Sequence, residues 1–407
     1  MRLQAHPQRR NAHAWALGAL AAAMLVAPVI HAEPVRARDL GIPFDGTPGP
    51  YNAITDVAGV EVGYITLIEG AGPLVIGEGP VRTGVTAILP RGRDAKQGVF
   101  AGYFNMNGNG EMTGTQWIEH YGTIWGPVLL TNTVSVGDVH AAAIQWMHER
   151  NPEGMTYLPV VAETWDGDLN DMLGRHIKQA HVYAALDGAR NGPVAEGNVG
   201  GGTGMISHGF KAGTGTSSRK VGPYTVGVLV QANHGLPWRL TIAGVPVGQV
   251  LKPDTTNHFA APDAKGSSIL VVVATDAPLL PVQLARMAQR PALGIGRTGG
   301  VGEVGSGEIF VAFSTANDTP PQEGEVRTLY ALSEYADYTI DYLYEGVIQA
   351  TEEAIVNALI AAETMVGVDD VTVEAIDHDR LQDILRQHGR LASDPVAAPA
   401  GAPETPR

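Results

Sequence analysis

The chain has 407 residues, of which 44% are hydrophobic and 17% charged, so it can bury a sizeable core and is not globally disordered. A formal charge of −15, with no run of Lys or Arg beyond isolated pairs, excludes the basic surface that nucleic acid or an anionic membrane requires. The absence of cysteine rules out disulfides, thiolate catalysis and Cys-based metal sites, and the thirteen scattered His residues form no HExxH pair.

At the N-terminus, Arg9 and Arg10 precede an apolar run from Ala14 to Ile30, and Ile30-His31-Ala32 resembles a signal-peptidase site. Residues 1–32 read as a secretory signal cleaved after Ala32, with the protein exported to the periplasm. A membrane anchor is the alternative, and the run is short for a span of about 20 residues. Residues 33–50 are polar, with Gly and Pro, and read as an arm. Val57, Val60, Val62 and Tyr64 mark a strand between Ala53 and Thr66, and Val85 to Leu89 marks another, ended by Pro90. Asn105 to Gly114 is a Gly/Asn-rich loop. Val128 to Thr131 is a short buried strand and Gly137 to Glu149 a helix. Leu158 to Glu163 is again a strand, and Leu169 to Ile177 reads as a helix. Val182 to Leu186 fits either state. Asn198 to Gly204 is a second Gly-rich loop, and Tyr224 to Gln231 is a strand that runs into Ala232-Asn233-His234-Gly235.

Residues 251–266 are polar and aperiodic and contain two prolines, which predicts an exposed linker. Directly after them stand Ser267, Ser268 and the run Ile269 to Thr275, the strongest buried-strand signal in the chain. A helix over Pro281 to Gln289, a strand over Glu308 to Thr315, a long helix over Tyr342 to Val366 and a shorter one over Asp379 to His388 follow. The tail from Ala392 reads as disordered. Mixed strands and helices without a regular βαβ alternation predict a layered α/β domain with helix-covered sheets.

Several segments could carry chemistry. Gly294-Ile295-Gly296-Arg297-Thr298-Gly299 matches GxGxxG, but a nucleotide site needs a strand before it, and here a helix precedes it. A hydroxyl residue between a linker and a buried strand is placed to attack the preceding carbonyl. Such an N-to-O shift, once hydrolysed, frees an α-amine with a pKa near 8 that can act as base for its own hydroxyl. The same residues also read as a plain turn before a strand. Ser306 and Glu308, two apart on an extended segment, point the same way. Asn233 at a strand end could donate to an oxyanion, or simply form a turn before Gly235. Glu163 at another strand end could hold an ammonium group, or face water.

Taken together these segments resemble the DmpA family, peptidase family S58, of L-aminopeptidase/D-amidase-esterases and β-peptidyl aminopeptidases. The resemblance runs over about residues 38–370. It is carried by Val271 to Pro281 after Ser268, Gly294 to Gly299, Gly305 to Ile309, Asn52 to Val57, Val161 to Thr164, Asn198 to Gly204 and Val230 to Asn233. It implies a four-layer αββα sandwich, DmpA/ornithine acetyltransferase-like, cleaved by itself into an α chain (33–267) and a β chain (268–407). It implies Ser268 as the N-terminal nucleophile and Ser306 and Glu308 as the groups contacting its amine and hydroxyl. It implies Asn233 as oxyanion donor and Glu163 as the carboxylate that binds the substrate's free amine. No metal or organic cofactor is implied. The implied partners are short peptides, amides or esters with a free amine, and the two chains remain associated, as a tetramer of such pairs. Relatives often carry Gly or Asn before the nucleophile. Here Ser267 stands there, so the scissile bond lies before Ser268 or, alternatively, before Ser267. The expected activity is that of a β-peptidyl aminopeptidase, with an L-aminopeptidase/D-amidase-esterase or a non-catalytic periplasmic binding protein as alternatives.

Overall fold

The apolar run after the linker forms a strand buried along its whole length, Ser268–Thr275. The computed structural model describes residues 35–153, 157–253, 268–317, 328–333 and 339–391. The expected signal 1–32, the part of the expected linker from residue 254 on, Ser267, and the expected tail from Ala392 lie outside the described residues.

In chain order the elements begin with β1 (Glu61–Glu69), β2 (Val81–Leu89), β3 (Val99–Asn105), α1 (Thr115–Tyr121), β4 (Thr123–Ile124), β5 (Val128–Asn132), α2 (Val136–Arg150), β6 (Val160–Thr164) and α3 (Gln179–Asp187). There follow β7 (Ile206–Ser207), β8 (Phe210–Lys211), β9 (Thr214–Val221), β10 (Tyr224–Asn233), α4 (Gly248–Leu251) and β11 (Ser268–Thr275). The last are α5 (Pro281–Met287), α6 (Pro291–Thr298), β12 (Gly307–Ser314), α7 (Thr339–Ile360) and α8 (His378–Gln387).

One sheet has the order β1-β2-β5-β6 and the other β4-β3-β12-β11-β10-β9. Successive side chains of a strand point to opposite faces, and β11 uses both. Ile269, Val271 and Val273 pack with Leu284, Ile295, Leu343 and Val347 of α5, α6 and α7. Leu270, Val272 and Ala274 pack with Ile88, Leu130 and Ala162 of the other sheet. Burial on both faces explains why the run has no alternation in the sequence. The far face of the first sheet buries Val85, Leu129 and Val161 against Val139, Ala143 and Val182 of α2 and α3. The layers are therefore helices, sheet, sheet and helices.

Some expectations shift. The first strand starts at Glu61, because Ile54–Asp56 form a 3₁₀ turn, although Val57 and Val60 are core residues. The helix expected over Leu169 to Ile177 is only a turn, Met172–Gly174, in which the Asp171 carboxylate accepts the Gly174 N–H at 3.0 Å in place of a helical carbonyl. Val182 to Leu186 resolves as part of α3. The long helix ends at Ile360 rather than Val366, and Met365–Val366 pairs with Thr372–Val373. The GxGxxG segment lies within and just after α6. A Cβ on Gly294 would stand 2.7 Å from Thr351 Cβ, so that glycine serves the close packing of α6 on α7.

A buried ionic network ties three distant segments together. Glu353 of α7 accepts from Arg219 of β9 at 2.7 Å, from Arg38 at 2.7 and 2.8 Å, and from Asn52 at 2.6 Å. Asn357, one turn on, accepts from the Ala37 N–H and donates to the Thr216 carbonyl. Arg219 and Glu353 are essentially without solvent contact. Removing one partner of such a pair leaves the other charge buried alone. Glu353→Leu is expected to lower stability by about 3–5 kcal/mol, read as a fall in the urea unfolding midpoint. An unchanged midpoint would show that the network does not hold the arm.

Candidate active site

Ser268 opens β11 and is paired on both sides. In the antiparallel ladder with β10 it stands opposite Asn233, and in the parallel ladder with β12 it stands beside Gly307. Residues directly opposite in an antiparallel ladder share a face. The Ser268 hydroxyl and the Asn233 amide therefore lie together on the face that looks toward the other sheet. The hydroxyl oxygen accepts the Gly307 N–H at 3.1 Å.

Asn233 is fully buried and its orientation is decided by one bond. Its Oδ1 accepts the Ile206 N–H at 2.7 Å, which only the carbonyl end of the amide can do. Its Nδ2 has no hydrogen-bond partner among the described residues. The next residue is clamped as well. The His234 carbonyl accepts the His208 N–H at 2.8 Å and the Ser207 hydroxyl at 2.9 Å. Burial lowers the His208 imidazole to about 4 and holds His234 well below the ordinary histidine range, so both are neutral at pH 7.

Ser306 and Glu308 are joined, the hydroxyl donating to Oε1 at 3.3 Å. Burial, with the charge of Glu303 adding to it, raises the Glu308 carboxyl to about 7, against the opposing hydrogen bond from Ser306. Glu308 follows Gly307, so its side chain leaves β12 on the face opposite to the Ser268 hydroxyl. Neither Ser306 nor Glu308 bonds to that hydroxyl. The N–H of the intervening Gly307 does.

The loop after β3 holds this arrangement. Asn107 donates to Glu308 Oε2 at 3.2 Å and to the Glu303 carbonyl at 3.0 Å, and accepts the Glu308 N–H at 2.8 Å. Asn109 donates to the Gly305 carbonyl at 2.5 Å. Sequence reasoning marked this stretch only as a Gly/Asn-rich loop. The available signal was its alternation of Asn with Gly or Met, which supplies side chains able to donate and accept at once.

Glu163, near the end of β6, is buried. Its Oε1 accepts the Glu111 N–H at 3.0 Å and its Oε2 accepts the Thr133 hydroxyl. Burial raises its pKa, partly offset by these two bonds. Two glycines stand between it and Ser268. A Cβ on Gly110 would stand 3.2 Å from Glu163 Oε1 and 3.5 Å from Gly307 Cα, and one on Gly307 would stand 3.1 Å from Ser268 Oγ. Of the five expected residues that are described, Ser268 and Asn233 share one face, Glu163 approaches Gly307 through Gly110, and Ser306 and Glu308 flank Gly307 with the Glu308 side chain on the opposite face. Ser267 lies outside the described residues. No cluster of three or more His, Asp or Glu residues able to hold a metal occurs among the described residues.

The model of peptidase family S58 matches residues 52–373, and the chain belongs to that family. It is 50% identical over 392 residues to the β-peptidyl aminopeptidase BapA of Sphingosinicella microcystinivorans, covering 92% of this chain and 98% of the relative. It is 52% identical over 366 residues to BapA of Sphingosinicella xenopeptidilytica, covering 86% and 91%. Among solved structures it resembles the L-aminopeptidase D-Ala-esterase/amidase of Ochrobactrum anthropi, with a TM-score of 0.80 and 50% identity over 88% of this chain and 99% of that one. That enzyme is described as a prototype serine aminopeptidase with a variant of the Ntn-hydrolase fold, and the mixed α/β fold here matches it. A Burkholderia β-aminopeptidase matches with a TM-score of 0.79 and 45% identity, over 87% and 99%.

Behind Glu163 lies a second carboxyl. Thr133, its partner, sits in a turn capped by Asn132, and Asn132 donates to Thr83 at 2.7 Å. Asp166 adjoins this group. Its Oδ1 accepts from Asn170 at 3.1 Å, and its Oδ2 is buried without a partner among the described residues. Burial raises its pKa to about 7 against the hydrogen bonds that oppose it. A carboxyl held above its unfolded value of about 3.9 destabilises the fold as pH rises from that value through about 7. Asp166→Asn is therefore expected to match the parent in stability near pH 4 and to exceed it increasingly up to about pH 7, measured by urea unfolding across pH. A stability difference independent of pH would refute the buried, protonated carboxyl.

Proposed function

We propose that this chain is a self-processing N-terminal-serine aminopeptidase of the β-peptidyl type. It releases N-terminal residues from peptides, amides or esters with a free amine. The observation that carries the reading is the pairing of Ser268 with Asn233, whose amide N–H₂ on the same face has no partner among the described residues. The likeness to two β-peptidyl aminopeptidases at about half identity supplies the substrate class.

Processing begins when Ser268 Oγ attacks the carbonyl of Ser267. The peptide C–N bond breaks and an ester forms. Water hydrolyses the ester, leaving a carboxylate on Ser267 and a free α-amine on Ser268. The precursor thereby becomes an α chain ending at 267 and a β chain beginning at 268. The ionic network of Arg38, Asn52, Arg219 and Glu353 spans that break and supports continued association. The same reading keeps residues 1–32 as a periplasmic export signal, on the strength of the basic-then-apolar N-terminus, and, on the family resemblance alone, the working enzyme as a tetramer of chain pairs.

In turnover, Oγ attacks the carbonyl of the substrate's first residue and its own α-amine takes the proton. The strand nitrogen lies in the plane of the sheet, between the face of the hydroxyl and that of Glu308. This supports Ser306 and Glu308 as partners of the amine rather than of the hydroxyl. Asn233 Nδ2 and a backbone N–H stabilise the oxyanion. The ammonium returns its proton to the leaving amine, an acyl-enzyme remains, and water releases the acid. Glu163 holds the substrate's ammonium group, which restricts the enzyme to free N-termini.

Asn233→Ala is expected to cut kcat about 10²–10³-fold in the processed enzyme. Parent-like turnover would remove Asn233 from the oxyanion site. Ser268→Ala should give a single full-length band on a denaturing gel. N-terminal sequencing of the small parent chain should read Ser-Ile-Leu-Val, whereas Ser-Ser-Ile-Leu would move the nucleophile to Ser267. The likeness to the Ochrobactrum anthropi enzyme favours α-amino acid substrates as a second reading. Parallel assays of β-homoalanine, L-alanine and D-alanine p-nitroanilides separate the two by their kcat/KM values.

A further inference from the structure

Between Glu163 and the strand that carries Gly307 stands a residue that no motif picks out. Gly110 is exposed, and its backbone is outside the left-handed region, so an L side chain fits there without backbone strain. A Cβ built on it would lie 3.2 Å from Glu163 Oε1, 3.2 Å from Ile309 Cδ1 and 3.5 Å from Gly307 Cα. The first distance is shorter than an ordinary carbon–oxygen contact, so a methyl there would press on Oε1 and cover the side of the carboxylate that Gly110 leaves open.

Glu163 can take such a cation. Both of its partners, the Glu111 N–H and the Thr133 hydroxyl, are neutral donors, and no ion pair cancels its charge among the described residues. A carboxylate with two donors still has lone pairs to offer. Over Gly307 the space is taken by the Asn109 backbone, whose carbonyl oxygen a Cβ there would meet, so Gly307 is needed for close packing beside Ser268 Oγ. Gly110 is the glycine that stands exposed beside the carboxylate.

We propose that Gly110 determines specificity for free N-terminal amines, because the absence of a side chain there leaves Glu163 Oε1 open to the substrate's ammonium group. The proposal rests on the roles of Glu163 and Ser268 given above. Any residue larger than glycine at position 110 excludes that group, whatever the nucleophile does.

The test is Gly110→Ala in the full chain, with two readouts. Self-cleavage uses the Ser268 hydroxyl and the carbonyl before it, and needs no free amine. The variant is therefore expected to yield both chains with the parent's N-terminus. Turnover of the p-nitroanilide the parent hydrolyses fastest is expected to lose at least 100-fold in kcat/KM, mostly as a rise in KM. Gly110→Ala combined with Ile309→Val removes the one side-chain carbon the new methyl would crowd, and it should stay as impaired as the single variant. Turnover within threefold of the parent overturns the proposal. So does rescue by Ile309→Val, which would make the defect one of packing, and so does failed self-cleavage, which would place the defect at Ser268. A parent that cleaves itself yet hydrolyses none of the three p-nitroanilides overturns the functional reading itself, and this proposal with it.

Discussion

The register of β11 between its two neighbours is the constraint on which the rest of the site depends. It sets Ser268 opposite Asn233 and beside Gly307. A slip of one residue would turn the hydroxyl to the helix-covered face and bring Ile269 to the site. The slip is resisted by burial on both faces, since every apolar side chain from Ile269 to Val273 would change partners. Burying each such side chain is worth roughly 1.5–3 kcal/mol, so the precision of one hydroxyl is underwritten by the packing of a whole strand.

Around that register the site is built from backbone groups and amides more than from charges. The Ile206 N–H decides which end of the Asn233 amide is free to donate. The Gly307 N–H meets the Ser268 oxygen. Asn107 grips both the carboxylate and the N–H of Glu308. Such groups change little with pH, and their geometry is set by elements already folded. The carboxyls sit in low-dielectric surroundings that push their pKa upward, as at Glu163, Glu308 and Asp166. A buried carboxyl without a matched cation attracts one, which is the property a site for an ammonium group needs at Glu163 and a site for a new α-amine needs at Glu308.

The fold also answers a mechanical problem that a break before Ser268 would create. The segments on either side of it are interleaved. Strands β11 and β12 lie between β10 and β3, and α7 covers β9 and β10. The arm at Arg38 and Asn52 reaches across to Glu353. No cut at the linker separates a core from its cover, because each piece is part of the other's core.

Much of this was legible in the sequence, for identifiable reasons. Where a strand carries an uninterrupted apolar run, as in β5, β10 and β11, or a helix is strongly amphipathic, as in α8, local pattern sufficed. Ordered family segments then drew Ser268, Ser306, Glu308, Asn233 and Glu163 together. Strand β3, whose Gly102 exists to admit the backbone of α5, and strand β9, polar yet buried beneath α7, gave no such signal. The amide orientation of Asn233, the grip of Asn107, the close approach of Gly110 to Glu163 and the network on Glu353 were not legible at all. Composition and period determine which segments are strands and which faces are apolar, because those follow from neighbours along the chain. Which residue stands opposite Ser268, and what fills the space beside Glu163, only the tertiary structure decided, because register, face and void belong to the pairing of segments far apart in sequence.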